Sequence, residues 1–370
     1  MTGSIITTMF ISSRVEGPGA IPEAEMLEEL LTLALWLGGG AFLISVLLPF
    51  VIKPLLARWG VIDIPSDRSS HDRPVIRGMG LAVAVAIGVM YTLALALGVV
   101  EVDRSVSLIV LAMMVASAAL GWLEDYRGAS VGTRLGVQLL IGALGTGALI
   151  VSLGIAVWWW PVGVIATVAY INIANFMDGI NGISGMHGTV VGLFYAWAGA
   201  ANDMTWMMCA GLVVAGAFAG FLPWNLSRGT VFLGDVGSYV LGGSLVAIAI
   251  GAFLSGVYVE YLLPPLLIYF ADTTVTLVKR VQRGEIWYKP HREHVYQRLT
   301  DVGLSHVQSS LVVTLATVLV SLISLWGLRA DGAGSVLAGL ATAAVVVLYL
   351  CLPRILRPLT RRGRRIVTPS

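Results

Sequence analysis

An all-α polytopic membrane protein follows from three features of this chain. Of its 370 residues 57% are hydrophobic and only 12% are charged, where a soluble domain carries about 25% charged residues. The mean hydropathy is +0.86. Apolar runs of roughly 20 residues follow one another almost free of charge, the length a helix needs to cross a bilayer. A soluble globule is excluded.

The elements can be taken in order. Residues 1–26 are too polar to span, and Arg14, Glu16, Glu23 and Glu25 stand among helix breakers without a signal-peptide pattern, so a loose tail is expected. Apolar runs then occupy roughly 28–52, 79–100, 105–123, 135–156, 158–174, 186–201, 206–222, 236–254, 262–278, 308–328 and 334–352. These predict about eleven transmembrane helices in one membrane domain, 27–352, followed by a basic tail, 353–370. Several runs are short for a bilayer, which places their polar ends in protein or against a water-filled cleft. Trp158, Trp159 and Trp160 with Pro161 form an aromatic belt and turn at the outer interface.

Orientation follows from the cations, because positively charged loops stay cytoplasmic. Alternate loops, 53–78, 124–134, 175–185, 223–235, 279–307 and 353–370, hold 20 of the 23 Lys and Arg. The N-terminus is therefore expected outside and the C-terminus on the cytoplasmic side of the membrane. The net charge is only +2 and its cations follow topology, so nucleic acid is not an expected partner. Cys209 and Cys351 sit in apolar runs and read as small buried hydrophobes.

Polar residues gather on the same predicted cytoplasmic side. Glu124 and Asp125 end the third span, Asn172, Asn175 and Asp178 end the fifth, Asn225 and Asp235 bracket the loop after the seventh, and Asp272 lies in the ninth. Ionisable groups at membrane depth are rare and usually functional. Oxygen ligands without Cys suit Mg²⁺ or Mn²⁺, and Mg²⁺ takes one or two carboxylates together with substrate phosphates. A cytoplasmic-side cleft for a diphosphate substrate is expected. The turns Asp178-Gly-Ile-Asn-Gly and Gly234-Asp-Val-Gly-Ser would let backbone N–H groups approach phosphate at a helix start.

Two basic segments add to this: Arg68-Ser-Ser-His71 with Arg77, and Lys289-Pro-His-Arg-Glu-His-Val-Tyr-Gln-Arg298. In the second, His291, Arg292 and His294 interleave as in a polyphosphate clamp; a Zn²⁺ site there has too few ligands. Arg58, Arg73, Arg283 and the tail arginines Arg361, Arg362, Arg364 and Arg365 read as positive-inside charge. His187 and His306 are assigned no chemistry.

Read together, Asp63-Ile-Pro-Ser-Asp-Arg-Ser-Ser-His71 with Pro74 and Arg77-Gly78, Gly121-Trp-Leu-Glu-Asp125, Asn172-Ile-Ala-Asn-Phe-Met-Asp-Gly-Ile-Asn-Gly182, Phe232-Leu-Gly-Asp-Val-Gly-Ser238 and His291-Arg-Glu-His-Val-Tyr-Gln-Arg-Leu299 resemble the polyprenyl-phosphate N-acetylhexosamine-1-phosphate transferases, or bacterial glycosyltransferase family 4. The likeness spans about Leu55 to Leu299, in order. It implies a Mg²⁺-dependent phosphoglycosyltransferase that moves a sugar 1-phosphate from a UDP-sugar donor to undecaprenyl phosphate, releasing UMP. It further implies Glu124, Asp125, Asp178 and Asp235 as catalytic residues, with Asp235 and Asp125 at the metal. Substrate contacts would come from Arg68, Ser69, His71, Asn172, Asn175, Asn181, Asn225, Gly234, His291, Arg292 and His294.

Two departures stand out: Glu124-Asp125 replaces the family's paired aspartates, and Met79 replaces a glycine. Asn181, where peptidoglycan-type members have a second Asp, points to the branch that begins O-antigen or other surface polysaccharides. Peptidoglycan lipid-precursor synthesis from UDP-N-acetylmuramoyl-pentapeptide and, from another class, a nucleotide-sugar or lipid-glycan transporter stay open as alternatives. Sugar identity and oligomeric state are not legible from these motifs.

Overall fold

A computed structural model describes residues 28, 31–63, 74–227, 231–286 and 292–366, with side chains as far as 357. The expected tail 1–26, together with Arg68, Ser69, His71 and His291, lies outside the described residues.

The chain is a multi-pass helical membrane protein. Its long helices are α1 (Leu31–Arg58), α2 (Gly80–Ala96), α3 (Arg104–Arg127), α4 (Val131–Leu153), α5 (Trp159–Met177), α6 (Ile183–Ala201), α7 (Thr205–Leu226) and α8 (Gly234–Leu254). After a four-residue turn of helix, α9 (Val259–Leu262), come α10 (Pro264–Gln282), the short α11 (Val295–Asp301), α12 (His306–Arg329) and α13 (Gly332–Ile366). Each apolar run predicted from sequence falls on one of the long helices. Eight of them, α1, α3, α4, α5, α7, α8, α12 and α13, are long and apolar enough to cross a membrane. Of the rest, α2 is short, α6 is diluted by glycines and His187, and α10 carries Asp272, Lys279 and Arg280.

The centre of the bundle is α8, whose most apolar window is 94% buried, whereas the corresponding window of α13 is 11% buried and faces outward. Close approach to α8 requires small residues: a Cβ on Gly80 of α2 would collide with the Gly237 backbone, and one on Gly121 of α3 with the Asp235 carbonyl. This draws the ends of α2, α3 and α8 together at one end of the bundle.

At that end the helices give way to a small extended element that the sequence pattern does not reveal. Strands β1 (Ile62–Asp63) and β2 (Val75–Ile76) pair antiparallel, and Ile76 bridges in parallel to Val231. The Phe232 N–H donates to Ile76 O at 2.8 Å and the Gly80 N–H to Leu233 O at 2.7 Å. Backbone that leaves a helix near the membrane must find partners within the protein. Here the partners are two distant loops, and their pairing sets Arg77 and Gly78 against the start of α8.

Candidate active site

Asp125, at the end of α3 and only 6% exposed, is the hinge of this arrangement. Its Oδ1 accepts from the Asp235 N–H at 3.1 Å and its Oδ2 from the Val236 N–H at 2.9 Å. One helix thus supplies the N-terminal cap of another, satisfying donors that a helix start leaves open and placing negative charge at its positive end. Arg77 Nε lies 3.3 Å from the same carboxylate, and Arg77 Nη2 donates to the Glu124 and Asp125 carbonyls at 3.2 and 3.3 Å. The Asp235 and Val236 N–H groups of α8, expected from sequence to face phosphate, are taken up by Asp125, which the Gly121 contact packs against the start of that helix.

Gly234 makes this contact geometrically feasible. Its φ is +77°, and a Cβ there would lie 2.5 Å from Gly78 N and 2.6 Å from Asp125 Oδ2. Gly234→Ala is expected to cost about 2–4 kcal/mol of stability, from a strained backbone plus the clash. A thermal unfolding midpoint in detergent equal to that of the parent protein would refute this account of the turn.

Asp235, one residue on, is held by Asn175 of α5, whose Nδ2 donates to Asp235 Oδ1 at 2.6 Å and to Ser238 Oγ at 3.0 Å. The other Asp235 oxygen makes no hydrogen bond among the described residues. Asn172, one turn earlier on α5, donates to Gln138 Oε1 at 2.6 Å and to Val168 O. Glu124 accepts from the Ala129 N–H at 2.6 Å and pairs with Arg134 at 3.4 Å; Arg134 in turn reaches Tyr239 of α8. The longer Glu side chain thereby closes the 128–130 loop and presents Arg134 toward Asp235.

Asp178 follows α5 and accepts from Ser184 Oγ at 2.7 Å. Burial pushes its carboxyl up to about 7; the Ser184 hydrogen bond opposes this and the negative charge of Asp235 adds to it. The turn after Asp178 is pinned from outside, since Asn225 Oδ1 accepts from the Gly182 N–H at 2.5 Å and Asn181 O accepts from Ser310 Oγ at 3.0 Å. Asn225 thus braces the glycine turn.

The basic loop is organised by Asp272, which is fully buried. Its carboxylate accepts from the Val295 N–H at 2.9 Å, the Tyr296 N–H at 3.3 Å and Tyr349 Oη at 2.7 Å, and lies 3.2 Å from His294 Nδ1. Tyr296 Oη donates to Phe176 O at 3.0 Å, docking α11 on the end of α5 beside the Asp178 turn. His294 is drawn inward, with its ring near Phe176 and Tyr296. Arg292 is exposed and lines a different pocket with Lys279, Arg298 and Arg354. Of the three residues expected to clamp together, His291 lies outside the described residues and the other two, Arg292 and His294, face apart, because Asp272 pulls His294 into the bundle.

The structure therefore gathers Glu124, Asp125, Asn175, Asp178 and Asp235, with Asn172 and Asn225 as braces around them. It adds Arg77, Arg134, Ser238 and Tyr239 to the same region. Ser238 had a legible signal, three residues after Asp235 on one helix face; Gln138 stood as a lone amide in an apolar run. Tyr296 gave none. An apolar groove of about 390 Å³ runs between α5, α8 and α10 from Trp159 and Phe253, at the end of the bundle away from Asp178 and Asp235, toward Ile173 and Phe270, with Ala249 and Leu266 among its walls.

The pattern of glycosyl transferase family 4 matches residues 107–253. The chain is similar to a probable undecaprenyl-phosphate N-acetylglucosaminyl 1-phosphate transferase of Bacillus subtilis, with 28% identity over 74% of this chain and 80% of that protein. It is 27% identical to a decaprenyl-phosphate N-acetylglucosaminephosphotransferase of Mycolicibacterium smegmatis, covering 84% of this chain and 85% of the other. A phospho-N-acetylmuramoyl-pentapeptide-transferase of Synechococcus elongatus is 32% identical, over 37% of this chain and 44% of its own length.

Proposed function

Because this chain belongs to the polyprenyl-phosphate N-acetylhexosamine-1-phosphate transferase family and is a phosphoglycosyltransferase, we propose that it transfers N-acetylglucosamine 1-phosphate from UDP-N-acetylglucosamine to a polyprenyl phosphate. Undecaprenyl phosphate is the acceptor we favour, and the product would begin O-antigen or another cell-envelope glycan. The choice of sugar is supported by coverage: the Bacillus and Mycolicibacterium relatives named for N-acetylglucosamine align over 80% and 85% of their length, the Synechococcus muramoyl-pentapeptide relative over 44%. The 20 of 23 cations in alternate loops support placing the site on the cytoplasmic face of the inner membrane.

The observation that carries the reading is the Asp235 carboxylate, fixed by Asn175 on one oxygen and without a hydrogen bond on the other among the described residues, at the Asp125-capped start of α8. In the reaction an acceptor phosphate oxygen attacks the sugar-bound phosphorus of the donor. A new P–O bond forms as the bond to the bridging oxygen breaks, and UMP departs with that electron pair. A phosphate monoester has its second pKa near about 6, so the acceptor is already largely ionised at neutral pH and needs no strong base. Arg77 and Arg134 offer guanidinium groups to phosphate oxygens. Asn175 and Asn172 orient the end of α5, and Asp178 stands at the sugar-diphosphate turn. The groove between α5, α8 and α10, which runs from the level of Ile173 and Phe270 toward Trp159 at the far end, would hold the distal part of the acceptor's apolar tail.

The donor set suits Mg²⁺ or Mn²⁺ bound jointly with substrate. Among the described residues no three His, Cys, Asp or Glu side chains form a metal cage, and Mg²⁺ takes one or two carboxylates plus substrate phosphates. Asp235, with Asp125 beside it, would hold the ion, which supplies charge neutralisation of the diphosphate and leaving-group stabilisation. From the motif loops, Arg68, Ser69, His71, His291 and His294 are proposed to complete the donor side.

The test is incubation of the purified protein with a polyprenyl phosphate, Mg²⁺ and a panel of UDP-sugars. UMP release is expected only when all three components are present and the sugar is N-acetylated. Movement of nucleotide-sugar across vesicles with no UMP formed would replace the enzyme reading with a transporter.

A further inference from the structure

Away from the Asp125–Asp235 region, five cations from three separate parts of the chain converge on one concavity. Lys279 at the end of α10, Arg283 just beyond it, Arg292, Arg298 on α11 and Arg354 on α13 line a pocket of about 460 Å³, together with Glu293. Glu293 is already committed: it pairs with Arg280 and with Arg283. Burial would raise its carboxyl, but the hydrogen bond from Arg283 and the charges of both arginines outweigh that and hold it below the usual range. Among the described residues no carboxylate pairs with Lys279, Arg292, Arg298 or Arg354. Positive-inside charge by itself scatters cations over loops. It gives no reason to collect four unpaired ones around a shared cavity, where they repel one another unless an anion enters.

The pocket's position says which anion. Arg77, Asp125, Asp178 and Asp235 take no part in lining it. Its edges are the end of α10 and the end of the apolar span of α13 (Gly332–Arg357), where the apolar side chains Val278, Val281 and Ile355 are 48%, 59% and 48% exposed. In a multi-pass membrane protein such side chains meet lipid, so the cations sit where helices emerge from hydrocarbon into the headgroup layer. Basic pockets between transmembrane helices at this depth recognise phosphorylated lipid headgroups. From this geometry we infer that the pocket between α10, α11 and α13 is a binding site for the phosphate of an acidic membrane phospholipid, distinct from the transfer site.

The full-length protein in neutral detergent, titrated with phosphatidylglycerol or phosphatidylcholine and read by native mass spectrometry, tests this directly. Phosphatidylglycerol is expected to bind selectively, and the R298Q/R354Q variant to lose about tenfold or more of that affinity. R329Q, on an exposed arginine at the other end of α12, is expected to bind as the parent does. Arg298 and Arg354 lie outside the proposed transfer machinery, and Lys279→Gln provides a second, single-site variant should the double one misfold. Undiminished phosphatidylglycerol binding by R298Q/R354Q or by Lys279→Gln would overturn the inference. So would displacement of the bound lipid by UMP or inorganic phosphate at matching concentration, which would assign the pocket to a soluble phosphate.

Discussion

Asp235→Asn is expected to lower UMP release by about a thousandfold while leaving the protein folded. The substitution is isosteric, and its side-chain oxygen can still accept from Asn175 Nδ2, so the contact with Ser238 and the end of α5 should survive. What is lost is the negative charge on the oxygen that accepts no hydrogen bond among the described residues. A contribution of about 4 kcal/mol from charge neutralisation at the transferring phosphate corresponds to three decades in rate. Steady-state UMP release at saturating Mg²⁺, with the melting midpoint as a folding control, separates the outcomes. Activity within a few-fold of the parent would move the metal site elsewhere, with Asp125 and Asp178 the next to examine.

Asp272→Ala should produce the largest loss of stability, about 3–5 kcal/mol, together with at least a tenfold fall in turnover. One buried carboxylate caps α11 through two backbone N–H groups and engages His294 and Tyr349 besides. Its removal leaves those donors buried without partners, each costing about 1–3 kcal/mol. Tyr349→Phe removes a single bond and should cost only about 1 kcal/mol. Thermal unfolding and limited proteolysis in the 283–294 loop would reveal the effect. A variant that melts with the parent and turns over normally would show that the loop needs no such anchor.

The helices were legible because a bilayer imposes one rule on every span, and an apolar run about 20 residues long exceeds what a buried strand or an ordinary core helix needs. For the same reason the acids at helix ends stood out: Glu124, Asp125, Asp178 and Asp235 are conspicuous against an apolar background. The short β pairing of Ile62–Asp63 with Val75–Ile76 was not legible. Two residues carry no periodicity, and the third segment, at Val231, is distant in sequence.

Composition, spacing and charge by themselves determined that this chain is an all-α membrane protein with its ionisable residues at helix ends, and ordered motifs determined the family it resembles. Those properties are local: they depend on which residues neighbour one another along the chain. Only the tertiary structure decided what each polar residue does with its hydrogen bonds. It spent Asp125 on the start of α8 and Asn225 on the glycine turn, left one oxygen of Asp235 without a hydrogen bond among the described residues, and turned His294 inward while Arg292 faced a separate basic pocket. The reason is that a buried donor or acceptor must be satisfied by whichever partner the packing brings within about 3 Å, and at helix ends that partner comes from a different helix, often a hundred residues away.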